Sequence, residues 1–415
     1  MKSSCLFCLL ISVINIFMLI LFHACNEEPI GMQPMDSTPP GPVSDVTWKP
    51  IPGGAVFKYT LPDDEDLLYV KAVYYLTGDV ERETIASLYA DSLVIVGFGD
   101  TNEHLVNLIA VDRSRNESTP YPETIKPDTP DVLSIAETLE LEPDFGGVRA
   151  SWNNPNRAEV SINVLFKDHN DEFVPLESFY TSRLDGEGYV RGMDTISADF
   201  IVYVQDKWNN KSLEKKYTHK PLYETLFDRQ KFSRTARTHD AVEFPGYYMS
   251  LMWDGRYTED YCFSTQDGRP ETWPHAATMD MGITGKISRI RLYQRINGVQ
   301  AWIFDIGNVR KFRVYGSANL ADLEVDILAE EWSEKWEEAF KDVPLLMDCE
   351  YIKPSGLPRG QLSDEDVFVA YNGMDFTCPP GKPPVRYLRF VVTEVWSGGT
   401  NFQIGEIEIF GDNRY

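Results

Sequence analysis

Two short stretches in the last half of the chain decide its fold. The first is MWDGR at Met252–Arg256, where an Asp-Gly pair predicts a tight turn after an apolar segment. The second is GEIEIFG at Gly405–Gly411, where alternating apolar residues predict a strand with one buried face. Between them, MDMG at Met279–Gly282 predicts the end of another strand. This part of the chain is therefore expected to be a β-sheet domain.

The remaining recognisable strands of this part of the chain are Ile287–Tyr293, Val309–Ser317 and Val385–Val392. The order of turn and strands from Leu251 to Asp412 resembles the discoidin or coagulation-factor C-type domain, a family that includes the family-32 carbohydrate-binding modules. The resemblance implies an eight-stranded jelly roll. The match is poorest between Ala318 and Lys382.

A structural calcium site is the first implication of this resemblance. In carbohydrate-binding relatives the Asp-Gly turn wraps a hard cation, and an acidic residue of the last strand completes its oxygen ligands, as Ca²⁺ prefers. The carboxylates that match are Asp254, Asp260 and Glu406. The alternative is that Asp254 caps its own turn while Glu406 pairs with an arginine such as Arg256.

A sugar-binding site is the second implication. A sugar ring offers an apolar face and a rim of hydroxyls, so its site needs aromatic rings and planar hydrogen-bonding groups. Relatives often place a stacking aromatic in the Gly-rich loop before the last strand and a guanidinium in an earlier loop. Trp273 and Trp302 could equally belong to the core. The candidate carbohydrate contacts are Trp396, Phe402, Arg295, Trp302, Trp273 and His275.

Composition argues against other functions. The 415 residues carry a net charge of -25, and binding to nucleic acid requires clustered Lys and Arg. Histidine is scarce and no Gly-x-Ser-x-Gly motif occurs, so no catalytic residue is predicted and the chain is not expected to be an enzyme. A glycoside hydrolase is the remote alternative, because its two carboxylates pair in space and not in sequence.

An internal repeat precedes the last domain. The segment Gly53–Pro62 aligns with Gly146–Pro155, and Ile109–Ser118 aligns with Tyr203–Ser212 at nearly the same offset. Each copy contains an Asp-x-x-x-Asn-x-Ser turn. Such a turn could hold calcium, but Asp and Asn side chains that cap their own backbone amides are the commoner explanation.

Each repeat has the size and strand composition of a small β-sandwich. The chain is therefore predicted to be all-β: two tandem fibronectin-III-like domains, residues 43–126 and 127–224, followed by a discoidin-like jelly-roll domain, residues 225–415. A disulfide between Cys349 and Cys378 could form in an exported protein, and it would leave Cys262 as a buried thiol.

The N-terminus predicts export and anchoring. Residues 1–24, with Lys2 before an apolar run, have the features of a signal peptide. The segment Leu21–Cys25 resembles a bacterial lipobox, which implies that Cys25 is lipidated, and the acidic residues after it resemble an export signal to the outer face of the outer membrane. Ordinary secretory cleavage without lipid is the alternative. Residues 25–42 are rich in proline and are predicted to be a tether.

The whole arrangement resembles surface lipoproteins built from the domains of unknown function numbered 4959, 5126 and 5000. Segments such as Lys353–Pro358 and Pro383–Tyr387 carry this likeness. Those proteins are encoded beside outer-membrane glycan uptake systems, so the resemblance implies a glycan partner, oligosaccharide or polysaccharide, and a neighbouring outer-membrane transporter. The alternative is a structural or adhesive lipoprotein whose last domain binds another protein.

Overall fold

The computed structural model describes residues 37–90, 92–257, 261–266, 273–296 and 300–415. Antiparallel β-sheets dominate these residues, and the sheets separate into three successive groups along the chain. The predicted all-β fold is confirmed. We call the three groups of sheets and their connections units 1, 2 and 3. None of the helices in the described ranges is long and apolar enough to cross a membrane.

Unit 1 is a two-sheet sandwich. Its strands are β1 (Ser44–Ile51), β2 (Gly54–Thr60), β3 (Leu67–Leu76), β4 (Val80–Ser87), β5 (Ser92–Val96), β6 (His104–Asp112) and β7 (Tyr121–Ile125). One sheet has the order β1-β2-β5 and the other β4-β3-β6-β7. Alternate residues of the central strands, among them Phe57, Val70 and Leu108, are buried between the sheets and form the core.

Unit 2 repeats this arrangement behind a short helix. Its elements are α1 (Asp131–Thr138), β8 (Glu140–Asp144), β9 (Gly147–Asn153), β10 (Val160–Lys167), β11 (Phe173–Thr181), β12 (Asp185–Val190), β13 (Ala198–Asp206) and β14 (Lys215–His219). The sheets have the orders β12-β9-β8 and β11-β10-β13-β14. The two units thus share sheets of three and four strands, as in two tandem fibronectin-III-like sandwiches.

The repeated turn has the same hydrogen bonds in both units. The side chain of Asp112 accepts from the backbone N–H of Asn116 at 2.8 Å and from its side-chain amide at 2.9 Å. The side chain of Asp206 accepts the equivalent bonds from Asn210 at 2.9 and 2.8 Å. Both aspartates therefore cap their own turns, which is the commoner explanation given above.

Consecutive units are joined by direct contacts. The buried side-chain amide of Asn210 donates to the carbonyl oxygen of Gly97 at 2.9 Å, linking unit 2 to unit 1. At the other junction, Glu224 accepts from Ser288 at 2.5 Å and forms an ion pair with Arg289 at 3.4 Å. Both junctions are thus held by buried or partly buried polar groups.

Unit 3 is a larger jelly-roll sandwich. Its strands are β15 (Thr225–Leu226), β16 (Ser233–Arg234), β17 (Phe263–Ser264), β18 (His275–Tyr293), β19 (Val309–Ser317), β20 (Leu345–Glu350), β21 (Met374–Thr377), β22 (Val385–Val395), β23 (Gln403–Ile404) and β24 (Glu406–Asp412), and its helices are α2 (Trp332–Ala339) and α3 (Asp364–Asn372). The main sheet runs β15-β24-β18-β22-β19-β20, and β17 pairs with β23.

The long strand β18 changes partner midway. Its first half pairs with β22 up to Gly285 and its second half with β24 from Lys286 onward, and Gly282 lies in the register irregularity that precedes this change. Gly282 has a φ of 69°, a conformation that a residue without a Cβ adopts readily. The bend reverses the direction of the strand. The last residues of β18 therefore lie at the same end of unit 3 as its first residues.

Hydrogen bonds confirm that both ends of β18 lie together. The hydroxyl of Thr265 bonds to His275 Nδ1 and to the backbone N–H of Phe402, each at 3.0 Å. Three residues later along the chain, the N–H of Gly405 donates to the carbonyl of Tyr293 at 3.0 Å. We call this end of unit 3, formed by the described residues of segments 244–257, 294–308 and 396–406, the tip.

The tip faces away from unit 2. The chain enters unit 3 at Thr225, which pairs with Gly411 near the far end of β24, whereas Glu406 at the start of β24 belongs to the tip. At about 3.3 Å per residue, the two ends of β24 are separated by about 20 Å. The loops of the tip are therefore presented on the far side of the domain from its junction.

Candidate functional site

An aromatic and cationic cluster lies on the tip. The guanidinium carbon of Arg295 lies 4.4 Å from the ring centre of Trp302 and 5.0 Å from that of Tyr247. Tyr247 in turn meets the ring of Phe244, which is 48% exposed, at a centroid distance of 5.8 Å. Arg295, Trp302 and Tyr247 are half-buried, so part of each side chain faces solvent. We call these four residues the aromatic cluster.

A buried amide holds the two loops of this cluster together. Asn308 is fully buried, and its side-chain oxygen accepts from the N–H of Arg295 at 2.7 Å. Its amide nitrogen donates to the carbonyls of Arg295 at 3.2 Å and of Trp302 at 2.9 Å. One side chain therefore fixes the backbone at both positions, which favours a preformed arrangement of the guanidinium and the indole.

Trp396, the predicted stacking residue, is half-buried beside this cluster. Its ring meets the ring of Phe304 edge-on at 5.1 Å, and the guanidinium of Arg310 lies 4.9 Å from its centre. Its indole N–H is buried and has no hydrogen-bond partner among the described residues. Trp396 therefore packs on the core with one part and borders the tip with the other.

Two residues that were predicted to contact sugar are buried, which corrects the prediction for both. Phe402 is 0% exposed and packs edge-on against Phe263 at 5.3 Å, so it offers no face to a ligand. His275 is 4% exposed and shares a hydrogen bond with Thr265 inside the sandwich. Phe402 directly precedes β23 and His275 begins β18, and the neighbouring strands cover them. They stabilise the fold behind the tip.

Trp273 also packs against the core. It is half-buried against the main hydrophobic cluster, and its indole N–H donates to the carbonyl of Thr393 at 3.1 Å. Of the residues predicted to bind sugar, Arg295 and Trp302 are in contact and partly accessible, and Trp396 is partly accessible against Phe304 and Arg310.

The carboxylates of the predicted calcium site meet at the Asp-Gly turn. Glu406 is fully buried, and both of its oxygens accept from the backbone N–H of Gly255 at 3.1 Å. Burial raises the pKa of Glu406 to about 7, the charge of Asp254 adds to this rise, and the Gly255 N–H and Arg229 oppose it. Asp254 is therefore close enough to Glu406 for their charges to interact.

Asp254 uses only one of its oxygens in the turn. Oδ1 accepts from the N–H of Arg256 at 3.0 Å, while Oδ2 is buried without a hydrogen-bond partner among the described residues. Arg256 Nε lies 3.6 Å from Oδ2, and Arg229 lies 3.6 Å from Glu406. The arginine beside Glu406 is thus Arg229, whereas Arg256 pairs with Asp254.

The third predicted calcium ligand, Asp260, lies outside the described residues. Within the described part of the chain, no group of three or more His, Cys, Asp or Glu side chains is arranged to hold a metal ion. The carboxylates of the buried Glu406 and the half-buried Asp254 nevertheless fit the hard-oxygen chemistry that Ca²⁺ prefers, and Asp254 Oδ2 accepts no hydrogen bond from the described residues.

The cysteines of the described residues are thiols. Cys262, Cys349 and Cys378 are all buried and form no disulfide with one another, so the predicted Cys349–Cys378 disulfide is not formed in this structure. Burial raises the pKa of Cys378 to about 12 and raises that of Cys349 as well. These thiols resist the deprotonation that reactivity requires.

Sequence reasoning missed Tyr247 and Phe244. Both lie in a loop near the start of unit 3, about fifty residues before Arg295, and no local pattern distinguishes an aromatic that faces the tip from one that faces the core. The only available signal is the aromatic density of segment 244–248, where three of five residues are aromatic.

Comparison with known proteins gives matches to three family models. Residues 40–127 match DUF4959, residues 128–230 match DUF5126 and residues 253–411 match DUF5000, each described as a domain of unknown function. A search of curated proteins gives no significant match.

Solved structures with similar folds include three kinds of protein. A SusE-like protein is 28% identical over 68% of this chain and 99% of its own, with a TM-score of 0.42. A CBM32 module of a family 31 glycoside hydrolase from Clostridium perfringens is 14% identical over 45% of this chain and 95% of its own, with a TM-score of 0.30. A two-domain fibronectin type III segment of chicken tenascin is 15% identical over 43% of this chain and 99% of its own, with a TM-score of 0.22.

The family models cover most of the described chain in a fixed order. Residues 40–127, 128–230 and 253–411 therefore belong to the domain families DUF4959, DUF5126 and DUF5000, in the order that the sequence predicts.

Proposed function

We propose that the protein is a non-catalytic glycan-binding lipoprotein of the cell surface, which captures oligosaccharide or polysaccharide for an outer-membrane uptake system. The observation that carries this proposal is the aromatic cluster, where Arg295 lies within cation–π distance of Trp302 and Tyr247 at the tip.

The chemistry of the cluster suits a sugar. The indole of Trp302 offers an apolar face for the C–H groups of a pyranose ring, and the Arg295 guanidinium offers planar donors for its hydroxyls. The cation–π contacts restrict the guanidinium before a ligand arrives, so less side-chain entropy is lost on binding. Trp396 and the solvent-facing part of Phe244 would extend the contact surface along the tip.

Presentation on a lipid anchor supports the same role. The lipobox-like segment would make Cys25, which lies outside the described residues, the lipidated residue before a proline-rich tether. Stable anchoring takes more than one acyl chain, which a bacterial lipoprotein cysteine carries. The tip lies at the end of unit 3 away from unit 2, so a tethered chain would hold it toward the exterior. The outer-membrane location and the neighbouring transporter remain parts of the proposal.

Calcium is proposed as a structural ligand behind the tip. Asp254 and Glu406 would hold the ion, with Asp260 as a further carboxylate, and the ion would neutralise the buried charge that these groups share. The observation in favour is that Oδ2 of Asp254 accepts no hydrogen bond from the described residues. Because Glu406 is fully buried, it would support the loop and not touch a substrate.

Retention in native gels that contain polysaccharide tests the proposed function. The full chain, purified in detergent, is expected to migrate more slowly in at least one gel of a panel of neutral and acidic polysaccharides. A Trp302→Ala variant with unchanged thermal stability is expected to lose most of this retardation. Equal migration of both proteins in every gel would overturn the proposal.

A protein partner is the second candidate, because Trp, Tyr and Arg are also the residues enriched in protein–protein hot spots. Under this alternative the same cluster would bind another surface protein, such as the transporter. Co-purification from solubilised membranes separates the two: a stoichiometric partner that is lost in Trp302→Ala and is insensitive to added sugar favours the alternative.

A further inference from the structure

A groove on unit 2 lies apart from the tip and is formed by the edge of the four-stranded sheet. It has a volume of about 430 Å³, within the range of ordinary ligand sites, and lies where β10, β11 and β13 run side by side. Its lining includes Tyr180, Ser161, Gln205, Glu159 and Lys207.

The sheet register explains the shape of this groove. Ser161 on β10 pairs with Tyr180 on β11 and with Gln205 on β13, so the three residues form one row across the sheet. Neighbours Val160 and Ile162 are buried in the core, so Ser161 and its row lie on the outer face. A small residue between two larger ones leaves a trough along the strand direction.

The aromatic side of the trough is open. Tyr180 is 85% exposed, although an aromatic ring of this size is commonly at least half covered in a folded domain. A single exposed aromatic needs no explanation by itself. Here, however, it borders a groove whose floor and opposite wall carry hydroxyl and amide groups, which is the combination that sugar recognition requires.

The second wall carries a charge pair. Lys207 donates to Glu159 at 3.1 Å, and both side chains are mostly exposed. Asp206, also in the lining, has its carboxylate engaged by Asn210 in the repeated turn. The wall therefore offers a carboxylate and an ammonium for neutral hydroxyls, and it carries no excess of positive charge that would attract an acidic glycan.

A second groove of about 330 Å³ continues from this wall to unit 1. It shares Glu159 and Lys207 with the first groove and adds Gly97 and Phe98 of unit 1. The contact between Asn210 and Gly97 fixes the two units beside it. An extended chain could thus lie along Tyr180, cross the charge pair and reach the junction.

We infer that unit 2 holds a second binding site, for a neutral oligosaccharide chain, with Tyr180 as the stacking ring and Glu159, Gln205 and Ser161 as hydrogen-bonding groups. The inference rests on the proposed glycan-binding function and adds a site to it. Two sites on one chain bind a polysaccharide with higher overall affinity than either site alone, because the second contact becomes intramolecular.

Affinity gels with four neutral polysaccharides (galactomannan, xyloglucan, mannan and mixed-linkage β-glucan) and with polygalacturonate test the inference. The full chain is compared with Tyr180→Ala, with Tyr180→Phe, which keeps the ring, and with Tyr89→Ala, which removes a tyrosine that is 91% exposed on unit 1. Trp302→Ala reports on the tip. We expect Tyr180→Ala to weaken binding to the retained neutral polysaccharide about tenfold, with Tyr180→Phe and Tyr89→Ala near wild type.

The outcomes separate the two proposals. Unchanged binding by Tyr180→Ala, together with loss in Trp302→Ala, overturns the second site and leaves the tip site standing. Loss in Tyr180→Ala with no effect of Trp302→Ala supports unit 2 as a sugar site and overturns the tip. If none of the four neutral polysaccharides retains the wild-type chain, the inference is overturned. If polygalacturonate alone retains it, the assignment of a neutral ligand is overturned. Unfolding temperatures of all variants, measured in parallel, exclude loss of fold as the cause.

Discussion

The guanidinium of Arg295 lies 4.4 Å from the centre of the Trp302 ring, and the buried side chain of Asn308 bonds to the backbone of both residues. One buried asparagine thus fixes the backbone that positions both the guanidinium and the ring. Residues that do not touch a ligand therefore decide how the tip is shaped.

Replacing Asn308 by alanine is expected to lower stability and to weaken binding at the tip. The change removes the hydrogen bonds that the Asn308 side chain makes to the N–H of Arg295 and to the carbonyl of Trp302, at a cost of about 2 kcal/mol in the free energy of unfolding. Chemical denaturation followed by tryptophan fluorescence measures this cost. Asn401→Ala, at a half-buried asparagine of the same tip, is the matched control and is expected to change stability by less than about 0.5 kcal/mol. Equal effects of the two substitutions would contradict the role given to Asn308.

Calcium is expected to raise the unfolding temperature of unit 3. At a calcium concentration of about 100 times the dissociation constant, binding stabilises the folded state by about 2.7 kcal/mol, and EDTA removes this gain. Thermal unfolding with and without chelator measures the shift. Glu406→Gln is expected to abolish the response, because it removes a buried charge from the carboxylates that would hold the ion. A calcium response that survives in Glu406→Gln, or no response in the wild-type chain, would rule out this site.

The three thiols of the described chain are expected to be unreactive until the protein unfolds. In a chain from residue 37 onward, Cys262, Cys349 and Cys378 are the cysteines present, and all three are buried. Burial raises the pKa of Cys378 to about 12, so its thiolate is scarce at neutral pH. A thiol reagent is expected to label no cysteine of the native protein and three cysteines after denaturation. A single thiol after denaturation would show that Cys349 and Cys378 form a disulfide.

Local patterns in the sequence predicted the framework well. The strands of the repeats follow from enrichment in β-branched and aromatic residues, and the last strand of unit 3 follows from apolar alternation. The turns at Asp112 and Asp206 follow from side chains that cap nearby amides. These features depend on residues only a few positions apart. For that reason they could be derived without the structure.

The site was predicted less completely because burial there depends on distant residues. Phe402 sits in a Gly-rich segment typical of a loop, but β17, about 140 residues earlier, covers it. Tyr247 joins Arg295 and Trp302 only because β18 bends and returns both of its ends to the tip. The pairing of strands that are distant in sequence decides which aromatic residue faces solvent, and no local sequence pattern predicts this pairing.

A double-mutant cycle on Arg295 and Trp302 tests the central claim most directly. Binding of the neutral polysaccharide that retains the wild-type chain is measured by titration calorimetry for Arg295→Ala, Trp302→Ala and the double variant. Because the two side chains are in contact, each single change is expected to weaken binding about tenfold, about 1.4 kcal/mol, and the double change to weaken it by less than the sum. Folded variants that all bind as tightly as the wild-type chain would show that the tip is not where this protein meets a glycan.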